Sequence, residues 1–159
     1  MSRAMTAVVA LGANLGDTAG TFEDAIRAIE ALPLVDRVIC SAPISSIAVT
    51  LDGPDPSKPG YLNAVALVDT RLAPSLLLAA LHDIEQDNGR VRRERWGDRT
   101  LDLDLIAYGQ VISADPHLTI PHPRAHERDF VLAPWLDVDP GATIPGRGAV
   151  RDLLQALRP

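Results

Sequence analysis

The chain has 159 residues, 47% of them hydrophobic and 23% charged, with a formal net charge of −6. That length buries one real core and predicts a single domain over residues 1–159, while no stretch reaches the roughly 20 apolar residues of a membrane-crossing helix. The negative balance argues against a surface devoted to nucleic-acid backbone, and one cysteine, Cys40, excludes an internal disulfide or a cysteine-built zinc site. A soluble, cytoplasmic protein is expected, with Cys40 as a small core residue and with no membrane, nucleic-acid or obligate protein partner.

The opening apolar run is short and ends in the turn residues of GANLGD, so residues 6–11 are predicted to form a strand rather than a signal peptide. Phe22, Ala25, Ile26 and Ile29 recur at helical spacing, with Thr21 and Asp24 as a capping pair. Residues 35–42 read as a second strand, and DGPDPSKPG at 52–60 is so dense in Pro and Gly that it is loop. YLNAVALVDT at 61–70 has strand composition and leads into a helix that admits Pro74 in its first turn, where the missing N–H costs no helical bond. Leu77, Ala80, Leu81 and Ile84 form that helix's apolar stripe, with His82 on its surface. An arginine-rich loop over 90–99, a strand over 100–108, a short hairpin toward Ile120, a helix after His122 and a last helix over 150–157 complete the order. Strands both adjacent to one another and interleaved with helices predict an α+β sandwich of the ferredoxin-like kind, a mainly antiparallel sheet with helices on its faces. Neither the P-loop pattern nor a GxGxxG run occurs to hold a nucleotide.

The chemistry concentrates in residues 90–107. In TLDLDLIA at 100–107, strand alternation puts Asp102 and Asp104 on one face and Leu101, Leu103 and Leu105 on the other. Backbones two residues apart are separated by about 6.5 to 7 Å, which lets both carboxylates converge on one or two hard cations. Immediately upstream, RVRRERWGDR carries five arginines and two acids, a local excess of positive charge in a net-negative protein. Alternating aspartates alone can be solvent-facing polarity, and an arginine run alone can be a solvated surface or a single-strand nucleic-acid contact. Together they fit a metal-bound polyphosphate, because magnesium takes one or two carboxylates plus substrate phosphates and arginine clamps phosphate oxygens. His122 and His126 form an HxxxH pattern without an evident third ligand, so zinc is not expected. Asn14 and Gly16 read as helix-entry turn residues.

At this point the chain resembles a known family. GRVRRERWGDRTLDLDLI is similar to the signature of the 6-hydroxymethyl-7,8-dihydropterin pyrophosphokinases of folate biosynthesis, and ALGANLGD, YLNAV, the IE before GR, and PHPRAHERDFVLAPW match that family's landmarks in order. The resemblance spans nearly the whole chain. It implies a ferredoxin-like α+β enzyme that moves pyrophosphate from ATP to the pterin hydroxymethyl group and releases AMP. It places two Mg2+ ions on Asp102 and Asp104, with Arg90, Arg92 and Arg99 near the polyphosphate and Trp96 on a catalytic loop. Glu85, His122 and Arg128 fall around ATP, and Tyr61, Asn63 and Phe130 around the pterin. The chain departs from the family at Asp98, where a small residue or Pro is usual, in a catalytic loop shorter by about one residue, and in SSIAVTLDG, which lacks a Thr-Pro element. The competing class is a non-catalytic nucleotide- or nucleic-acid-binding module built on the arginines; a third is a surface ion-pair network with no ligand.

Overall fold

The structure is a computed structural model that describes residues 3–13, 18–46, 49–50, 53–54, 61–93 and 101–158. In chain order these form β1 (Met5–Ala13), α1 (Thr18–Glu30), β2 (Val35–Cys40), β3 (Ile44–Ser46), β4 (Val49–Thr50), β5 (Gly53–Pro54), β6 (Tyr61–Thr70), α2 (Pro74–Arg93), β7 (Asp102–Tyr108), β8 (Ser113–Asp115), β9 (Leu118–Ile120), a 3-10 turn (Ala125–Glu127), α3 (Asp129–Val138), β10 (Thr143–Ile144), β11 (Gly148–Ala149) and α4 (Val150–Leu157).

The main sheet runs β2-β6-β1-β7, with β3 also paired to β6, and every pairing in it is antiparallel. Its core sequence β1-α1-β2-β6-α2-β7 is the β-α-β-β-α-β order of a ferredoxin-like sandwich, as expected. Strand alternation divides the hydrophobic residues between two faces. Ala7, Val9 and Leu11 of β1 pack with Phe22, Ala25 and Ile29 of α1 and Leu77 and Leu81 of α2. Val8 and Ala10 face the other way, onto Val131, Leu132 and Trp135 of α3 and Val150 of α4. Ile29, Leu77 and Leu81 are fully buried, each worth about 1.5–3 kcal/mol relative to exposure.

Several boundaries differ from expectation. α1 begins at Thr18, so Thr21 and Asp24 lie inside the helix rather than capping it. Thr21 is buried, as is the neighbouring Phe22. β1 continues through Ala13, which makes Gly12 a strand residue paired with both Asn63 and Asp102, not a turn. α2 runs to Arg93, so Arg90, Arg92 and Arg93 sit on its C-terminal turn rather than in a loop. Gly89 costs a helix interior only about 1 kcal/mol, and cationic residues are favoured in a last turn. β2 ends at Cys40, yet Ser41 still bonds to β6: its N–H donates to the Val65 carbonyl at 2.9 Å and its Oγ accepts from the Val65 N–H at 3.0 Å. Cys40 is half-buried against the α1/α2-side core. Gly53–Pro54 pairs as a short strand with Val49–Thr50 inside the segment read as loop. Asn14 and Gly16 lie outside the described residues. The strand over 61–70, Pro74 at the start of α2, the hairpin before Ile120 and the helix over 150–157 stand as read, and His82 is exposed.

Candidate active site

The candidate site is built on the α3-facing side of the sheet, toward the end where β7 begins. Leu101, Leu103 and Leu105 are buried, whereas Asp102 is exposed and Asp104 half-exposed, so the two carboxylates share the face opposite the leucines. Register carries this row across the sheet: Asp102 pairs with Gly12, and Gly12 pairs with Asn63. A Cβ on Gly12 would lie 3.5 Å from Asn63 Oδ1. Glycine therefore leaves bare backbone between a buried amide and a carboxylate. That 3.5 Å distance is ordinary van der Waals contact, so the amide lies beside Gly12 without excluding a side chain there. Tyr61 stands two residues before Asn63 on β6, on the same face and partly exposed.

A β-bulge brings in the next group. Val9 pairs with Leu105 and Val8 with Ala107, so Ile106 is the extra residue of β7. Its carbonyl accepts the His122 N–H at 2.8 Å, which anchors the segment after β9 beside the aspartate strand. His122 Nδ1 accepts the Arg124 N–H at 3.2 Å. An imidazole nitrogen that accepts a hydrogen bond carries no proton, so the neutral ring bears its proton on Nε2. Burial pushes the His122 pKa below the ordinary histidine value; the Asp104 carboxylate opposes this, and the guanidinium groups of Arg128 and Arg124 add to it.

Arg128, the residue preceding α3, completes the cluster. Its Nη1 lies 4.0 Å from Asp104 Oδ2, and its Cζ sits 5.8 Å from the Phe130 ring centroid. The helix start thus sets a cation between the carboxylate strand and an aromatic ring. From the opposite side of the sheet, Glu85 of α2 reaches the same strand, its Oε2 accepting the Leu103 N–H at 2.8 Å.

The structure accordingly brings Asp102, Asp104, His122, Arg128, Phe130 and Asn63 onto one side of the sheet. Glu85 approaches β7 between the two aspartates, and Arg90 and Arg92 are placed by their backbone on the last turn of α2. Trp96, Asp98 and Arg99 lie outside the described residues. Among the described residues, no group of three or more His, Cys, Asp or Glu side chains is arranged to hold a metal. The donor set offered to a metal here is thus two adjacent carboxylates, which suits a hard cation that takes further oxygens from phosphates. Among the described residues no helix is long and apolar enough to cross a membrane.

The family model described as 7,8-dihydro-6-hydroxymethylpterin-pyrophosphokinase (HPPK) matches residues 8–140. The chain is 38% identical over 151 residues to a 2-amino-4-hydroxy-6-hydroxymethyldihydropteridine pyrophosphokinase of Haemophilus influenzae, covering 95% of this chain and 92% of that protein. It is 40% identical over 148 residues to the protein of the same name from Pseudomonas aeruginosa, covering 93% of this chain and 89% of that one. Among solved structures, a crystal structure of HPPK-DHPS in complex with substrates superposes with a TM-score of 0.73 at 12% identity, over 98% of this chain. That chain is longer, and only 43% of it is covered, so the likeness speaks to the fold of one part of it. The chain belongs to the 7,8-dihydro-6-hydroxymethylpterin-pyrophosphokinase family.

Proposed function

We propose that this chain transfers pyrophosphate from ATP to the hydroxymethyl group of 6-hydroxymethyl-7,8-dihydropterin, releasing AMP, in folate biosynthesis, and that Asp102 and Asp104 hold two magnesium ions for it. The observation that carries the reading is the pair of carboxylates on one face of β7, beside Arg128 and His122, in a chain whose relatives are named for this pyrophosphokinase. The hydroxymethyl oxygen bonds to the β-phosphorus of ATP while the bridge to the α-phosphate breaks and AMP departs. Magnesium held here would neutralise polyphosphate charge.

The chain's own residues supply positioning and charge. Phosphoryl-type transfer passes through a loose transition state in which these dominate, so no dedicated general base is assigned. Arg128 is held beside Asp104 and is poised for phosphate oxygens. His122, neutral with its proton on Nε2, offers a donor to ATP. Arg90, Arg92 and Arg99 serve the transferred and leaving groups, with Trp96 as a further catalytic residue, and Glu85 meets β7 between the two aspartates from the α2 side. Tyr61 and Phe130 provide aromatic surfaces for the flat pterin, and the buried Asn63 amide reads its polar edge.

A non-catalytic nucleotide- or nucleic-acid-binding module is not favoured, since two carboxylates set among phosphate-binding groups repel the ligand unless a metal intervenes. The test is product analysis with purified chain, ATP, magnesium and 6-hydroxymethyl-7,8-dihydropterin. AMP should appear only when all are present. Formation of ADP would reassign the transferred group, and binding without turnover would move the chain to the non-catalytic class.

A further inference from the structure

Among the described residues, β7 is an edge strand of the main sheet, paired on one side with β1. An edge strand presents N–H groups that no neighbouring strand takes up. At Leu103, the residue between Asp102 and Asp104, that N–H is taken by Glu85 Oε2 at 2.8 Å. A bond from an amide to a carboxylate is charge-assisted and stronger than a neutral one. Leu103 is itself 1% exposed, so its side chain is fixed in the core while its backbone is tied to α2.

We propose that Glu85 is a positioning residue: by bonding the backbone between Asp102 and Asp104, it sets the pitch of the edge strand on which both carboxylates stand and locks it to the helix whose last turn carries Arg90 and Arg92. The inference rests on the reading of Asp102 and Asp104 as magnesium ligands. It assigns Glu85 a role through the strand, distinguishable from direct contact with the nucleotide. Both carboxylates belong to one short segment, so a change in its twist alters the separation of their oxygens. A partner that orients metal ligands typically contributes 10- to 100-fold in metal affinity or activity.

The experiment compares Glu85→Ala and Glu85→Gln with the unmodified chain in three measurements. The first is hydrogen exchange of the Leu103 amide in metal-free protein; the second is the magnesium concentration giving half-maximal AMP release at saturating substrates; the third is AMP affinity in metal-free buffer. Glu85→Ala should speed Leu103 exchange and raise the magnesium midpoint by about tenfold or more, with AMP affinity unchanged. Glu85→Gln, which keeps an acceptor oxygen, should recover part of both effects. Unchanged Leu103 exchange in Glu85→Ala overturns the proposal, as does faster exchange with an unmoved magnesium midpoint. Weaker AMP binding with an unmoved midpoint makes Glu85 a nucleotide contact instead. If Glu85→Ala does not fold, Glu85→Gln decides by the same criteria: faster exchange with a raised midpoint supports the role, and either effect without the other overturns it. Turnover by the unmodified chain without magnesium would sink the metal reading and this proposal with it. That failure is recognisable because Leu103 exchange would still answer to Glu85.

Discussion

The Arg128 guanidinium carbon stands 5.8 Å from the centroid of the Phe130 ring, and the same guanidinium reaches within 4.0 Å of Asp104. One side chain therefore joins the aromatic proposed for the pterin to a carboxylate proposed for magnesium. Phe130→Ala should weaken pterin binding by roughly 2- to 13-fold, the equivalent of about 0.5 to 1.5 kcal/mol for a lost aromatic pair. ATP affinity should hold, since Arg128 keeps Asp104 as a partner. Titration calorimetry with each ligand checks this, and loss of ATP affinity with pterin affinity intact would put the substrate in another pocket.

Asp102→Ala and Asp104→Ala should each remove most AMP release while the fold persists, because Leu101, Leu103 and Leu105 hold the strand from its other face. The contact of Asp104 with Arg128 is long and partly exposed, so its loss should change stability by no more than about 1 kcal/mol. Far-UV circular dichroism and thermal melts, read beside turnover at ordinary magnesium, separate the two effects. Near-normal turnover in either variant would refute the two-carboxylate site.

His122 gives a pH signature. Burial is the chief cause of its lowered pKa, so the unfolded chain binds the proton more readily than the folded one. Stability from the neutral ring is complete above the ordinary value of 6.5 and is lost as pH falls through the depressed folded value. His122→Asn, whose side-chain oxygen can still accept the Arg124 N–H, should flatten that part of the stability profile. Chemical denaturation across this pH window, together with imidazole NMR titration, provides the measurement; a folded-state pKa above 6.5 would contradict it.

Arg99→Ala should slow turnover by roughly 10²-fold or more, as when a donor aimed at developing charge is removed, with a smaller loss of ATP affinity. Arg93→Ala and Arg95→Ala should cost less. Steady-state kinetics on the set would show equal, modest losses at every arginine if the charge acts only as a diffuse basic surface.

The sequence by itself determined the α+β order, the strand over 61–70, the sharing of a face by Asp102 and Asp104, and the family, because these depend on period, composition and contiguous motif. Alternation along one strand is a local property, and so is the fit of Pro74 to a helix start. Element ends were less legible: Gly12 stays in β1 because it pairs with two other strands, while Thr21 within α1 and the arginines on α2 belong to helices that run past residues read locally as caps or breakers. What only the tertiary structure decided are the juxtapositions. Gly12 separates Asn63 from Asp102 through pairing with two strands far apart in the chain. The bulge at Ile106 holds His122, Arg128 meets Asp104, and Glu85 reaches Leu103, all across the fold. Such contacts arise from sheet register and helix docking, which are set by burial of two hydrophobic faces at once and leave no periodic trace in the residues that meet.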